Sequence, residues 1–258
     1  MTLNLHTLLN QCHFLFPDPI QADQNGTGLI AVGADLSPAT LITAYSQGLF
    51  PWFNEDEPIA WWCPEPRCVI SPQEYKPSKS LQKQARKSTW RITVNQAFDE
   101  VIHACSLPRS YTNDTWIHDE MIDAYNKLHQ LGFAHSIEIW NNEQQLIGGL
   151  YGLKIGSMFF GESMFHRQTN ASKIAFWGLN YLCQQTEVAL IDCQLPNEHL
   201  LSLGATTMPR IQFLQYLNTQ IHHQTSSWQQ NQLKHYLVKQ LYDSYTQHCS
   251  ASTMLSQH

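Results

Sequence analysis

Apolar residues recur at helical spacing in four stretches of the chain, and each stretch has polar or glycine boundaries. Ser37 and Asn95 are placed to cap two of these helices, while Gly48 and Gly132 are placed to end two. The pattern predicts helices over residues 37–47, from Asn95 through Phe98, Val101, Ile102 and Cys105, over 118–131, and over 170–184.

β-rich apolar runs lie between these helices and end at turn residues. Asn141-Asn142 and Lys154-Ile155-Gly156 separate three of the runs, and Pro196-Asn197 opens a short helix that stops at Gly204. We predict strands over residues 90–94, 134–140, 145–153, 157–165 and 188–191. A meander followed by helix, strand and helix indicates an α+β fold, with helices packed on a mixed sheet.

The two ends of the chain differ from this middle part. Proline is dense from Pro58 to Pro72, which keeps that segment extended or turning. We therefore predict a small N-terminal α/β domain of residues 1–75 and a larger domain of residues 76–258. After about residue 219 the chain is rich in Gln, His and Ser, and Leu233, Tyr236, Leu237 and Leu241 predict one amphipathic helix.

The composition limits the class of protein. Of the 258 residues 43% are hydrophobic, but no apolar run approaches the ~20 residues that a membrane helix needs. The start of the chain has no basic and apolar signal segment. Seven scattered cysteines without a C-x-x-C pair favour reduced, buried thiols over a zinc site. We expect a monomeric cytoplasmic protein without a membrane partner.

Positive charge is concentrated in one segment, although the net charge is −6. Six of the fifteen Lys and Arg residues lie between Lys76 and Arg91, with no acidic residue among them. Four of them repeat at i, i+4, i+7 and i+8, and would share one helix face: Lys79, Lys83, Arg86 and Lys87. A solvated surface helix is one interpretation. A face that binds nucleic acid is the other, because a phosphate backbone would relieve the repulsion between these cations.

Polar side chains follow the apolar run that ends at Ile191. Asp192 is predicted to stand where this strand leaves the sheet, and Gln194 and Asn197 follow it. A carboxylate there could hold or deprotonate an amine, and the amides could orient a carbonyl group. Alternatively, Asp192 and Asn197 cap the next helix.

Glu162 is the single acid in the aromatic strand around Phe159, Phe160 and Phe165. A buried charge needs a partner, so Glu162 is a candidate functional residue. The alternative is that it faces solvent at a sheet edge or pairs with Lys173.

Aromatic residues outside the regular pattern are candidates for stacking on bases, which contributes ~1–3 kcal/mol each. Core packing explains most of them. Trp52 is the strongest candidate, because it lies in a loop that is rich in Gly and Pro.

Several of these segments, in order, resemble leucyl/phenylalanyl-tRNA–protein transferases. The similarity runs from about Phe16 to Leu217. It rests on residues 33–38, on Tyr45-x-x-Gly48-x-Phe50-Pro51-Trp52-Phe53, and on residues 61–67, 115–117, 134–138, 148–152, 161–165, 171–173 and 191–194. Each motif is weakly specific, whereas the ordered set is highly specific.

The resemblance implies a GCN5-related acetyltransferase-like large domain without a cofactor. It implies that leucyl-, phenylalanyl- or methionyl-tRNA donates its amino acid to a protein that begins with Arg or Lys, which marks that protein for degradation. The catalytic positions would be Asp192, Gln194, Glu162 and Asn197. The substrate-binding positions would be Tyr45, Trp52, Trp116, Tyr125, Leu150, Phe159, Phe176, Leu179 and Ile191.

Two rival functions stay open at this point. An acetyl-CoA-dependent N-acetyltransferase needs a glycine-containing phosphate loop before the 170–184 helix. Residues 165–169 lack those glycines. A tRNA-binding protein without chemistry would explain the basic helix, but it gives no reason for Glu162 and Asp192 together.

Overall fold

The computed structural model describes residues 4–108, 116–226, 228 and 236–255, with side chains as far as residue 248. Its N-terminal part is a three-stranded antiparallel sheet with order β1-β3-β2, flanked by three helices. The elements are α1 (Leu5–Gln11), α2 (Pro19–Ala22), β1 (Leu29–Val32), α3 (Pro38–Ser46), β2 (Phe50–Pro51) and β3 (Ala60–Trp62).

The rest of the described chain forms a mixed eight-stranded sheet and seven helices, which confirms the predicted α+β class. Its strands are β4 (Arg67–Ile70), β5 (Arg91–Val94), β6 (Ala134–Trp140), β7 (Leu146–Ile155), β8 (Met158–His166), β9 (Leu190–Gln194), β10 (Thr206–Met208) and β11 (Tyr236–Leu237). Its helices are α4 (Lys79–Lys87), α5 (Phe98–Ser106), α6 (Asp119–Gln130), α7 (Ala171–Gln185), α8 (Glu198–Ser202), α9 (Arg210–Gln220) and α10 (Val238–Leu255).

The order of the large sheet is β10-β4-β9-β8-β7-β6-β5-β11. All neighbours are antiparallel except β8 and β9, which run parallel because α7 connects them. Strand β4 comes from the N-terminal side of the predicted boundary at residue 75, yet it lies between β9 and β10. The division into residues 1–75 and 76–258 stays a prediction.

Alternating side chains of the sheet supply two apolar cores, one on each face. Phe160 and Tyr151 pack with Tyr45, Phe98 and Tyr125 on the face covered by α3, α5 and α6. Their neighbours in sequence, Phe159 and Leu150, lie in the core under α4, α7 and α10.

Most predicted helices and strands are observed within a few residues of their expected ends, but two expectations are wrong. Asn95 does not cap α5. Its backbone is left-handed (φ 58°), and its side-chain oxygen accepts from the Ser136 amide. The carboxylate of buried Glu138 instead accepts the amides of Gln96 and Ala97.

The tail does not form one amphipathic helix from residue 233. Tyr236–Leu237 pairs with β5 as an edge strand, and α10 begins at Val238. Leu233 lies outside the described residues. Within the described ranges, no helix combines the length and the apolar content required to cross a bilayer.

Candidate active site

A cavity of about 630 Å³ opens where the parallel strands β8 and β9 separate. Their pairing ends at Phe160 and Asp192. Beyond this pair, Gly161–Met164 of β8 and Cys193–Leu195 line the cavity. A gap at the carboxyl ends of parallel strands is where ligands bind in α/β proteins.

A β-bulge on each strand shapes this gap. Tyr151 pairs with Ser163 and Gly152 with Gly161, so Glu162 is the extra residue of β8. Cys68 pairs with Gln194 and Val69 with Asp192, which leaves Cys193 as the extra residue of β9. Bulges occur next to active sites because they re-aim side chains.

Glycine is required opposite the first bulge. A Cβ atom at position 152 would collide with the carbonyl oxygen of Phe160 and with the Phe159 ring. Gly152 therefore allows the close backbone approach that turns Glu162 towards the cavity.

Two tyrosines hold the half-buried carboxyl group of Glu162. The Tyr45 hydroxyl donates to Oε1 at 2.7 Å, and the Tyr125 hydroxyl donates to Oε2 at 3.0 Å. Burial raises the pKa of Glu162 to about 8, and the hydrogen bonds from both tyrosines oppose this rise. Glu162 therefore changes its charge close to neutral pH. The alternative interpretation is wrong: β8 is an inner strand, so Glu162 does not lie at a sheet edge, and its partners in the described residues are the two tyrosines rather than Lys173.

Tyr45 and Tyr125 were expected to contact substrate, but the structure places them behind Glu162. Both side chains are fully buried, and neither lines the cavity. Their hydroxyl oxygens are 2.5 Å apart. They connect α3 and α6 to the acid, and so they fix its orientation.

Asp192 is also held by a partner, but that partner is a cation. Its Oδ1 accepts from Nε of Arg67 at 2.8 Å, and its Oδ2 accepts from Nη2 at 2.7 Å. Both side chains are fully buried. The guanidinium group lies over the rings of Phe50 and Phe213, with centroid distances of 5.1 and 4.5 Å.

The position of Asp192 differs from the sequence-based expectation because β9 extends to Gln194 rather than ending at Ile191. Asp192 thus lies inside the sheet between β8 and β4, and it does not line the cavity. It also does not cap α8. Its direct part in the chemistry stays a prediction.

Arg67 was not singled out as a functional residue by the sequence analysis. The sequence does contain a feature that could have predicted its role. Arg67 begins the apolar strand Arg67–Ile70, and Asp192 is the acid of another apolar strand. Two opposite charges isolated in buried strands indicate an ion pair.

Gln194 lines the cavity, and its conformation is fixed at both ends. Its Nε2 donates to the carbonyl oxygen of Gly161 at 2.7 Å, which bridges the gap between β9 and β8. Its backbone amide donates to Oδ1 of Asp192 at 3.0 Å, and its φ of 56° is left-handed. Within the described part of the chain, no donor contacts its side-chain oxygen, so that oxygen can accept a hydrogen bond from a ligand.

Asn197 lines the exposed side of the cavity and caps α8 as the alternative interpretation expected. Its Oδ1 accepts from the amide of Leu200 at 2.8 Å. A catalytic role for Asn197 stays a prediction.

Part of the cavity wall is apolar and aromatic. Most of the predicted substrate-binding side chains lie there, namely Trp52, Trp116, Leu150, Phe176, Leu179 and Ile191. Phe159 does not reach it, because its ring stacks on Trp228 with centroids 5.3 Å apart. Trp52 is 45% exposed and lies at the rim, where its ring is 5.8 Å from that of Trp62.

The predicted basic face is present on α4. Ser78 caps this helix, and Leu81 and Ala85 bury its other side. Lys79, Lys83, Arg86 and Lys87 are exposed, and none of them forms an ion pair within the described ranges. Gln84 accepts a hydrogen bond from Asn170 at 2.7 Å. The helix therefore lies beside the start of α7, whose Phe176 and Leu179 line the cavity.

This arrangement places an ionisable carboxyl group, an oriented amide oxygen and an apolar wall around one opening. Such a site can receive an amine next to an apolar acyl group and accept a proton when a bond forms between them.

Three comparisons with known proteins bear on these geometric findings. Residues 69–218 match the family model for leucyl/phenylalanyl-tRNA protein transferase, and residues 34–65 match the model for the N-terminal domain of that enzyme. A GCN5-related N-acetyltransferase from Sphaerobacter thermophilus overlaps with a TM-score of 0.35 and 11% identity, over 69% of this chain and 56% of that chain.

Curated relatives cover most of the chain. The leucyl/phenylalanyl-tRNA–protein transferase of Psychrobacter arcticus is 62% identical over 84% of this chain and 82% of its own length. The enzyme of Shewanella frigidimarina is 51% identical over 84% of this chain and 91% of its own length. The chain therefore belongs to the leucyl/phenylalanyl-tRNA–protein transferase family.

Proposed function

We propose that this chain transfers Leu, Phe or Met from aminoacyl-tRNA to the N-terminal Arg or Lys of an acceptor protein. Family membership supports aminoacyl transfer as the reaction. The observation that carries the proposal is the shared opening of the titratable Glu162, the oriented Gln194 and the apolar wall.

The proposed reaction needs no activation of the donor, because an aminoacyl ester is already reactive. The neutral α-amine of the acceptor attacks the ester carbonyl carbon, a C–N bond forms, and the bond to the ribose oxygen breaks. The Gln194 side-chain oxygen orients the amine through one of its protons. The Glu162 carboxylate takes the other proton as the C–N bond forms, and the protonated acid can return it to the leaving ribose oxygen.

In this proposal Asp192 is a positioning residue. Its Oδ1 holds the backbone amide of Gln194, while Arg67 fixes the carboxylate through two hydrogen bonds. By fixing the backbone of Gln194, the Asp192 side chain sets the direction of the Gln194 side-chain amide that contacts the acceptor amine.

The apolar wall supports the choice of donor. A pocket of Leu150, Phe176, Leu179 and Ile191 separates apolar side chains by only ~1–3 kcal/mol per methylene, so Leu, Phe and Met can share it. Trp52 and Trp116 offer stacking surfaces for the terminal adenosine at the rim.

A direct assay tests this function. Labelled leucyl-tRNA is mixed with the purified protein and a peptide that begins with Arg, without any added cofactor. We expect label to move to the peptide, and an N-acetylated peptide to remain unlabelled because it lacks the amine. Labelling of the peptide from acetyl-CoA, with none from leucyl-tRNA, would favour the acetyltransferase alternative.

The basic face of α4 is proposed to bind the tRNA backbone. Replacing Lys83 and Arg86 by Ala removes two phosphate contacts, so the slope of log affinity against log salt should fall by about 1.4–1.8. Binding of uncharged tRNA measured at several salt concentrations checks this. Lys127→Ala, which removes an exposed cation on α6, is the control. An unchanged slope in the double variant would show that Lys83 and Arg86 do not contact the tRNA.

Cytoplasmic location, the monomeric state, independence of cofactors and the marking of acceptors for degradation stay predictions. The assay without added cofactor addresses the third of these directly.

A further inference from the structure

The acids near the cavity differ in whether they are available to a cation. Both oxygens of Glu162 accept tyrosine hydroxyls, and both oxygens of Asp192 accept the Arg67 guanidinium group. Asp192 is therefore taken up by Arg67, and Glu162 is shared between the two hydroxyls and, in the proposed reaction, the acceptor amine, so neither is left for a lysine or arginine side chain.

A third acid lines the same cavity. Glu198 is exposed in the first turn of α8, four residues after Gln194. In the ranges that the structure describes, its carboxylate takes part in no hydrogen bond or ion pair. Glu198 is thus an acid at the cavity whose oxygens are left for a ligand.

We propose that Glu198 binds the cationic side chain of the first residue of the acceptor. This rests on the proposed function, in which the acceptor amine lies at Gln194. The amine and the side chain leave the same Cα atom, and the long stems of Arg and Lys carry their charged heads away from it. Because Asn197 caps α8, the short helix holds Glu198 at the exposed side of the cavity that Gln194 also lines.

The arrangement separates two tasks within one acceptor residue. Glu162 and Gln194 act on its amine, which every protein chain carries. Glu198 distinguishes Arg and Lys from neutral residues by charge. An ion pair at the partly open mouth of a cavity is stronger than an ion pair in open solvent. We therefore expect this contact to give about a tenfold preference for Arg over a neutral first residue.

The test compares peptides that begin with Arg or with its neutral analogue citrulline, using wild type, Glu198→Gln and the control Glu143→Gln. Glu143 is also exposed, but it lies in the β6–β7 turn and does not line the cavity. We expect Glu198→Gln to reduce the preference for Arg about tenfold through the acceptor KM. The KM for leucyl-tRNA and the kcat with citrulline peptide should stay within about twofold of wild type.

Charge reversal provides a second variant. Glu198→Lys should lower transfer to the Arg peptide further and raise transfer to a peptide that begins with Glu. An unchanged ratio of Arg to citrulline transfer in Glu198→Gln would overturn the proposal. An equal loss of kcat for all peptides would also overturn it, because that indicates a structural role.

Failure of the underlying function gives a different result. If wild-type protein moves no label from leucyl-tRNA to either peptide, the aminoacyl-transfer proposal fails. If wild type transfers label but does not discriminate between Arg and citrulline, the role of Glu198 alone fails.

Discussion

Glu162 and Asp192 lie on neighbouring strands at the same end of one parallel pair, yet their surroundings differ. Asp192 is fully buried against a guanidinium group, with two short hydrogen bonds of 2.8 and 2.7 Å. Glu162 is half-buried against two neutral hydroxyl groups and faces the cavity.

The difference shows how two similar side chains obtain different tasks. A guanidinium partner fixes a carboxylate through two hydrogen bonds, and it occupies both oxygens. Hydroxyl partners orient a carboxyl group but supply no charge, so burial raises the pKa of Glu162 to about 8. The first environment suits a structural support, and the second suits proton transfer near neutral pH.

The largest expected effect comes from breaking the ion pair. Arg67→Met leaves Asp192 buried without its cation, so the free energy of unfolding should fall by about 3–5 kcal/mol. Urea denaturation followed by tryptophan fluorescence measures this change.

The double variant Arg67→Met with Asp192→Leu removes both charges, and it should recover most of the lost stability. If Arg67→Met alone costs under about 1 kcal/mol, the contrast between the two acids is wrong.

The next effect concerns the chemistry. Glu162→Gln keeps the shape and loses the proton acceptor, so kcat/KM for the acceptor should fall about 10²–10³-fold with the fold retained. Near-wild-type transfer at pH 8 would contradict a role for Glu162 in proton transfer.

The pH profile makes this prediction sharper. The reaction needs both the ionised Glu162, with its pKa of about 8, and a neutral acceptor amine, whose pKa is about 7.7–8.0. The slope of log kcat/KM against pH should therefore approach about 2 below pH 7 in wild type and about 1 in Glu162→Gln. Ester hydrolysis without enzyme is subtracted at each pH.

The smallest effect tests the tyrosines. The Tyr45 hydroxyl stabilises the ionised form of Glu162, so Tyr45→Phe should raise the pKa of that acid further. We expect the midpoint of the pH profile to move up by roughly one unit, with transfer at pH 7 falling about tenfold and recovering near pH 9.

Tyr75→Phe is the control for that variant. Tyr75 is also buried, and its hydroxyl has no hydrogen-bond partner among the described residues. Its removal should leave the profile unchanged. A loss in Tyr45→Phe that persists at pH 9 would mean that Tyr45 supports the fold rather than the charge of Glu162.

Local signals in the sequence predicted much of this molecule. The capping residues Ser37 and Asn197 and the β6–β7 turn at Asn141-Asn142 were predicted correctly, because each depends on neighbours in the chain. Of the predicted turn Lys154-Ile155-Gly156 only Gly156 lies in the turn, since β7 extends to Ile155. The apolar cavity wall was also predicted for the most part, through the family resemblance.

Long-range pairing explains what the sequence did not reveal. Arg67 and Asp192 are 125 positions apart, and their contact depends on β4 being inserted beside β9. The bulges depend on the register between strands, which alternation in a single strand does not specify. Phe159 and Phe160 look equivalent in sequence, but one packs under Trp228 and the other beside Tyr45.

The insertion of β4 has a consequence for dividing the chain. A fragment that begins at residue 76 would lack β4, and one whole side of β9 would lose its hydrogen-bonding neighbour. Unpaired edges of this kind recruit strands from other molecules. We expect such a fragment to associate with itself and to leave Asp192 without its cation. Strand β9, which lines the cavity, therefore depends on a strand from the first part of the chain.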